Sequence, residues 1–230
     1  MQVSPNGLNG WRTGPMYTYG EAARFAGVAP ATVRRWIYGY DSQTGQMRPV
    51  FGSRERSREP GPAVSFLQLA EIVVVSRFRS RRVSLERLRR AHEFAWDRFK
   101  LDYPFASLRL KTDGVHVLHQ FEESNPGASL LALDLSGQLT LPGGVVQVME
   151  SFDFEGDLAS RWFPAGKEVP IVIDPRYGAG RPTIPKRRLT VETLRKRWLA
   201  GQTFQFIAKD LDLEPTIVED ALRYAEKYAA

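Results

Sequence analysis

The chain has 230 residues, 43% of them hydrophobic and 25% charged, with a formal net charge of +6 and no cysteine. Such a length allows one or two domains with a buried core, and the absent thiols exclude disulfides, thiolate metal sites and thiol redox chemistry, which fits a reducing cytosol. No apolar run approaches the roughly 18 residues that cross a bilayer, and MQVSPNGLNGWRTGP lacks the apolar core of a signal peptide, so the expectation is a flexible lead-in to a soluble, cytoplasmic protein without a membrane partner.

The charge is unevenly spread. Residues 1–100 carry 17 Lys/Arg against 8 Asp/Glu, a net +9, whereas residues 101–165 carry 3 against 9, a net −6, and residues 166–230 carry 12 against 9, a net +3. A basic block joined to an acidic one points to an anionic partner at the N-terminal end; solvated faces on arginine-rich helices are the plainer alternative. In YTYGEAARFAGVAPATVRRWIYGY, residues 17 to 40, Thr18 and Glu21 have capping-box spacing, and Ala22, Ala23, Phe25 and Ala26 supply a small apolar face. Gly27 suits a left-handed helix end, and Pro30 the first turn of a second helix with Val33 and Trp36 inward. Ala31, Thr32, Arg34 and Arg35 then face outward, as a helix-turn-helix requires. An ordinary helical hairpin gives the same local pattern.

The next stretch favours the DNA-reading alternative. Residues 38–64 are rich in Gly, Pro, Ser and Arg and suit a wing or extended loop whose Arg48, Arg54, Arg56 and Arg58 can neutralise phosphates or enter a minor groove. Two helices are predicted after it, one with apolar positions Phe66, Leu69, Ile72 and Val73, the other with Leu85, Leu88, Phe94 and Ala95 behind a Ser84 cap. The set Tyr17-Thr18, Glu21-Ala22, Ala26-Gly27-Val28, Thr32-Val33-Arg34-Arg35-Trp36, SFLQLAEIVVV and VSLERLRRA resembles the MerR-type winged helix-turn-helix over residues 16 to about 95. That resemblance implies a homodimer on duplex operator DNA, with Tyr19, Thr32, Arg34, Arg35, Tyr38, Arg48, Arg54, Arg56 and Arg58 as contacts. The chain departs from the family in having no sensing cysteines and no long dimerising helix.

Residues 101–169 read as a β-rich linker or dimerisation module. SLRLKT and VHVLHQF flank Asp113-Gly114, a hairpin dipeptide; LLALDL, LTL and VVQVME continue as strands. FDFEGDLASRWFP suggests a helical turn around Leu158 to Trp162, and PIVID a last strand. Helices follow in TVETLRKRWLAG, TFQFIAKDL and PTIVEDALRYAEKYA. With Ile173-Asp174-Pro175, Gly180-Arg181-Pro182, Ile184, Arg188-Leu189, Val191, Gly201, Ile207, Leu211 and Val218 to Tyr224-Ala225, the segment from about 170 to 228 resembles domain of unknown function 433, found in antitoxins. Lys186-Arg187 stands where that family commonly has Gly-Thr.

The expected fold class is α+β, divided into residues 1–100 (winged helix-turn-helix), 101–169 (small antiparallel β module) and 170–230 (three-helix, helix-turn-helix-like). The combination is similar to VapB-class antitoxins, which implies a PIN-domain ribonuclease toxin as partner. The resemblance places that toxin's carboxylate cluster against Arg176, Arg181, Lys186, Arg187 and Arg188, with Phe204, Tyr224 and Tyr228 as anchors; Trp198 and Phe206 are expected in the domain's own core. A solvated loop or a second DNA contact remains open for the basic segment. An alternative reading is a MerR-like regulator whose middle module senses a small molecule.

Nothing in the residues asks for catalysis or a cofactor. On a strand His116 and His119 would face opposite ways, which argues against a metal pair. Asp210, Asp212 and Glu214 lack the glycine and distal glutamate of a calcium loop and suit capping. Gly178-Ala179-Gly180 has no strand–helix context for a phosphate loop, and no serine, histidine and acid set stands out.

Overall fold

The computed structural model describes residues 10–42, 45–51, 62–124, 130–133 and 138–228, which form two compact units. The first comprises Arg12–Glu150 with Phe154–Ala159; the second consists of Ser151–Asp153 and Ser160–Ala230, joined by the segment up to Trp11.

The first unit opens with α1 (Gly10–Thr13). Of the expected lead-in, residues 10–13 are helical and Arg12 is buried, whereas residues 1–9 lie outside the described residues. Tyr17 then bridges antiparallel to Val64. In α2 (Tyr19–Ala26) the Thr18–Glu21 capping box is complete, Ala22, Ala23 and Ala26 are buried, and Gly27 ends the helix left-handed. α3 (Pro30–Tyr38) starts on Pro30 and buries Val33, Trp36 and Ile37. Its end leads directly into the hairpin β1 (Tyr40–Ser42) and β2 (Gly45–Met47), which pairs Tyr40 with Met47. Gly39 makes this junction at φ 73 and ψ −173, a conformation essentially reserved for glycine. A β-carbon there would overlap the Met47 carbonyl oxygen.

α4 (Phe66–Ser80) carries its own capping box, Ser65 with Gln68, and is buried from Phe66 to Ser76 and at Phe78. It packs against α2 and the short 3-10 turn Pro104–Ala106. α5 (Leu85–Phe99), capped by Ser84, is amphipathic and buries Leu88, Ala91, His92 and Ala95.

Three readings of the middle segment are corrected. Leu108–Ser124 is one helix, α6, not a hairpin around Asp113-Gly114. Its buried positions Leu110, Gly114, Val117, Leu118 and Phe121 have helical spacing, and the absence of a side chain at Gly114 admits Leu141, whose Cδ1 would lie 3.3 Å from a β-carbon. His116 and His119 accordingly sit on neighbouring helical positions; His116 contacts Gln120 at 2.7 Å and His119 contacts Glu123 at 3.6 Å. After β3 (Ala132–Leu133) and β4 (Leu139–Thr140), which pair as expected, VVQVME lies in α7 (Gly143–Glu150) rather than in a strand. α7 packs on α4 with Val145, Val148 and Met149 buried. Finally, Leu158 to Trp162 is strand β6, paired with β5 (Phe152–Glu155), not a helical turn. At the tip of this hairpin the buried Arg12 donates to the carbonyls of Glu155 (3.0 Å) and Leu158 (3.3 Å).

In the second unit Trp162 stacks on Phe152 and bridges to Ile173, and Val172 bridges to Thr183. The hairpin β7 (Thr183–Ile184) and β8 (Leu189–Thr190) leads into α8 (Val191–Leu199), α9 (Phe204–Leu211) and α10 (Pro215–Tyr228). Thr190 and Thr203 cap α8 and α9, Asp212 closes α9 left-handed, and the Glu214 carbonyl receives the first amides of α10, the turn duty expected of these acids. The core joins Ile171, Ile184 and Leu194 to Ile207, Val218 and Tyr224. Trp198 and Phe206 are exposed, at 42% and 54%, not core.

Gly39→Ala is expected to destabilise the chain by about 1–3 kcal/mol, because strain at positive φ adds to the overlap with Met47; denaturant unfolding measures it. Asp153 gives a pH-dependent case. It accepts from Lys167 and Arg161, each at 2.6 Å. Partial burial pushes its pKa up, but the hydrogen bond and charge of Lys167, with those of Arg161, outweigh this and hold it below the ordinary carboxylate value. A carboxyl depressed in the folded state stabilises above its unfolded pKa and loses that contribution as pH falls through the folded one. Asp153→Asn is therefore expected to lower the urea midpoint at neutral pH, and the difference is expected to vanish in acid where the carboxyl is protonated.

Candidate nucleic-acid interface

The exposed face of α3 is built by subtraction: once Val33, Trp36 and Ile37 turn inward, Ala31, Arg34 and Arg35 are left outside. Two tyrosines hold the arginines up. The Arg34 guanidinium lies 5.6 Å from the Tyr19 ring centroid, and that of Arg35 lies 5.2 Å from Tyr40. The Tyr19 and Tyr38 hydroxyls are 3.0 Å apart, so Tyr19 is fixed from both ends of the pair of helices. Ala31, Arg34, Arg35, Tyr38 and Tyr40 line one shallow groove. Neither arginine pairs with a carboxylate among the described residues. Rings attract a guanidinium without neutralising it, so both cations stay available to phosphates or base edges. Thr32 is half-buried beside them. The structure thus brings together Tyr19, Thr32, Arg34, Arg35 and Tyr38. Arg54, Arg56 and Arg58 lie outside the described residues.

The hairpin is held by a residue that the sequence reading did not single out. Arg89 is 3% exposed. Its Nε donates to the Arg48 and Pro49 carbonyls, both at 3.0 Å, its Nη2 to Arg48 again at 2.6 Å, and its Nη1 pairs with Glu86 at 2.6 Å. The Val50 amide also returns to the Trp36 carbonyl at 2.7 Å. The signal was present: Arg89 stands one turn before His92 on the inward stripe of α5, and a cation there needs buried acceptors. Arg48 itself is exposed and pairs with Glu93 at 3.0 Å. Below this lies a buried pair, Glu71 and His92, 3.4 Å apart, with the imidazole between the rings of Phe51 and Phe105.

The basic segment of the second unit is more engaged than its composition implies. Arg176 forks onto the buried Asp174 at 2.9 and 2.7 Å. Lys186 and Arg187 both reach Asp212 and the last carbonyls of α9, where cations also oppose the helix dipole. Arg188 lies over Tyr177, whose phenol is pushed up by burial and by the Asp174 charge. Arg181 is exposed, and neither it nor Arg188 pairs with a carboxylate among the described residues. Phe204 is half-buried and Tyr224 belongs to the core; the Tyr228 side chain lies outside the described set. The large apolar groups that this unit does expose are Trp198, Leu199 and Phe206. Among the described residues no cluster of acids and histidines fits a metal ion, and no helix is long and apolar enough to cross a membrane.

A capped helix, a glycine turn, a second helix with an open basic face and a clasped hairpin together define a helix-turn-helix protein. A family model described as "Putative DNA-binding HTH domain" matches residues 15–92, and one described as "Protein of unknown function (DUF433)" matches residues 171–225. Over 222 residues the chain is 30% identical to "Putative antitoxin VapB45" of Mycobacterium tuberculosis, covering 90% of this chain and 92% of that protein. It is likewise 30% identical to the uncharacterized protein Rv2308 of the same organism, over 93% and 91% of the two chains. The crystal structure of Rv2018, also from Mycobacterium tuberculosis, superposes with a TM-score of 0.70 at 27% identity, over 90% of this chain and 97% of that one. The chain belongs to the VapB45 antitoxin family.

Removing the clasp and removing the exposed ion pair should differ. Arg89→Met is expected to cost about 2–3 kcal/mol, since it strands buried carbonyls and a charge-assisted network. Arg48→Ala, which loses an exposed pair, is expected to cost under about 1 kcal/mol. Equal losses in urea unfolding would show that Arg89 does not anchor the hairpin.

Proposed function

We propose that this protein is the antitoxin of a type II toxin–antitoxin pair, a non-enzymatic cytoplasmic regulator that binds its own operator as a homodimer and neutralises a PIN-domain ribonuclease toxin. The observation that carries the DNA-binding half is the Arg34–Arg35 pair, raised on Tyr19 and Tyr40 with no opposing carboxylate among the described residues. In a MerR-like arrangement α3 enters the major groove and the hairpin side, through Arg48, meets the backbone. A palindromic operator needs two copies of α3 about one turn apart or more, which is the reason for the dimer.

The toxin-binding half rests on the kinship with VapB45 and on the surface of the second unit. Among the described residues Arg181 and Arg188 lack carboxylate partners, and Trp198, Leu199 and Phe206 are exposed. An arginine fork pairs bidentately with carboxylates, and aromatic groups with arginine dominate interface energetics. Because Lys186 and Arg187 are already occupied by Asp212, the contact is assigned mainly to Arg181 and Arg188, with Trp198 and Phe206 replacing Tyr224 as anchors.

Co-expression with the product of the adjacent gene, followed by size-exclusion chromatography, tests the pairing. Arg34→Ala or Arg35→Ala is expected to weaken operator binding by about 1–3 kcal/mol where the residue reads a base edge, leaving toxin inhibition intact. The Arg181→Ala, Arg188→Ala double variant is expected to do the reverse. If toxin inhibition survives that double change while operator binding collapses, the segment is a DNA contact and the toxin assignment is wrong.

A further inference from the structure

At the turn between α4 and α5 the first unit holds a cavity of about 510 Å³, open on one side. That volume lies within the range of small-molecule sites. One wall is cationic: Arg81 follows α4, Arg82 takes a left-handed φ of 63, and Arg87 stands in the first turn of α5. The turn that presents them is fixed by Arg79, which donates to the Val83 carbonyl at 2.5 Å. None of the three cavity arginines pairs with a carboxylate among the described residues, although Arg89 and Arg90 next door both engage Glu86. Glu122, near the end of α6, accepts the Leu130 and Leu131 amides.

Apart from Thr140, the rest of the lining is apolar, with Leu130, Leu131 and Leu141 buried beneath it. The far side is the start of α7. The first intrahelical amides there are those of Val145 and Val146, both to Pro142, so the Gly143 and Gly144 amides have no acceptor within the helix. A β-carbon on either glycine would meet nothing within 4 Å. Three cations without a carboxylate partner among the described residues share one concavity with a leucine floor: the guanidinium groups favour an anion, and the leucines favour its hydrocarbon.

We propose that this cavity binds a small amphipathic anion, a carboxylate or phosphate head held by Arg81, Arg82 and Arg87 with an apolar body on Leu130, Leu131 and Leu141. The site is separate from the α3 groove and does not rest on the antitoxin reading. Arg87 lies two residues before Arg89, so an occupant pulls on the same turn of α5 that clasps the hairpin.

Calorimetric titration of the full chain with decanoate, decylamine and inorganic phosphate tests it. Decanoate is expected to bind saturably, one per chain, decylamine not at all, and phosphate far more weakly than decanoate because the apolar floor contributes nothing to it. Arg87→Ala is expected to weaken decanoate binding about tenfold or more, as the loss of a charge-assisted hydrogen bond does; Arg195→Ala, on the second unit, is expected to leave it unchanged. Should Arg87→Ala unfold, Arg87→Lys keeps the charge without the fork and is expected to bind at an intermediate level. Decylamine binding as tightly as decanoate would reduce the site to an apolar patch. Phosphate matching decanoate, with operator affinity falling in the Arg81→Ala, Arg82→Ala double variant, would make it a DNA-backbone contact. Either result, or no saturable binding to the folded chain, overturns the proposal.

Discussion

From Phe66 to Ser76 α4 is buried on every side, and a helix with no solvent face is stable only inside a sheath of other protein. The arrangement of α2, α7 and the 104–106 turn follows from that requirement. A fully buried Val, Leu, Ile or Phe contributes on the order of 1.5–3 kcal/mol, and α4 buries Phe66, Leu67, Leu69, Ile72, Val73, Val74, Val75 and Phe78. Their sum outweighs the cost of burying one polar side chain, so Glu71 is tolerated there with His92 at 3.4 Å and the Phe105 amide at 3.3 Å beside it. The Arg34–Arg35 pair inherits its position from this helix. Alanines at 22, 23 and 26 let α2 approach closely, and α3 packs on α2 in turn.

Arginine does two different jobs in the first unit, and burial separates them. Arg12 and Arg89 are sunk into the protein, where each donates to main-chain carbonyls far away in sequence. Buried acceptors left without donors cost more than exposed ion pairs gain, so these two side chains hold the chain's irregular parts in place. Arg34 and Arg35 stand outside on tyrosine rings, and Arg81 and Arg82 line an open cavity. The basic charge of residues 1–100 is thus partly structural, and net charge alone overstates the surface available to an anionic partner.

The same sorting runs through the second unit. Lys186 and Arg187 close the C-terminal end of α9 through Asp212, and Arg176 neutralises the buried Asp174. Only after these local duties are assigned does the segment's outward surface become visible, and it centres on Arg181 rather than on the Lys186-Arg187 dipeptide that catches the eye in the sequence.

What the sequence determined by itself was local. Capping boxes, a glycine helix end, a proline start and strong apolar periodicity need neighbours only three or four residues away, so α2, α3, α4, α5 and the last three helices were legible, as was the exposed arginine pair. Residues 108–150 were not. Alternation in VHVLHQF and VVQVME suits either period over so short a run, and Asp113-Gly114 imitates a hairpin turn; the choice fell to α4, which accepts α7, to α5, which accepts α6, and to Leu141 against the bare Gly114. Tertiary structure alone decided which polar groups were internal. Arg89, Arg12 and Glu71 are indistinguishable from surface charges in one dimension, because the carbonyls and the imidazole that lie against them come from parts of the chain far away in sequence. The same reason put Trp198 and Phe206 outside and Tyr224 inside: aromatic composition announces burial somewhere, but only the packed helices determine which ring faces the core.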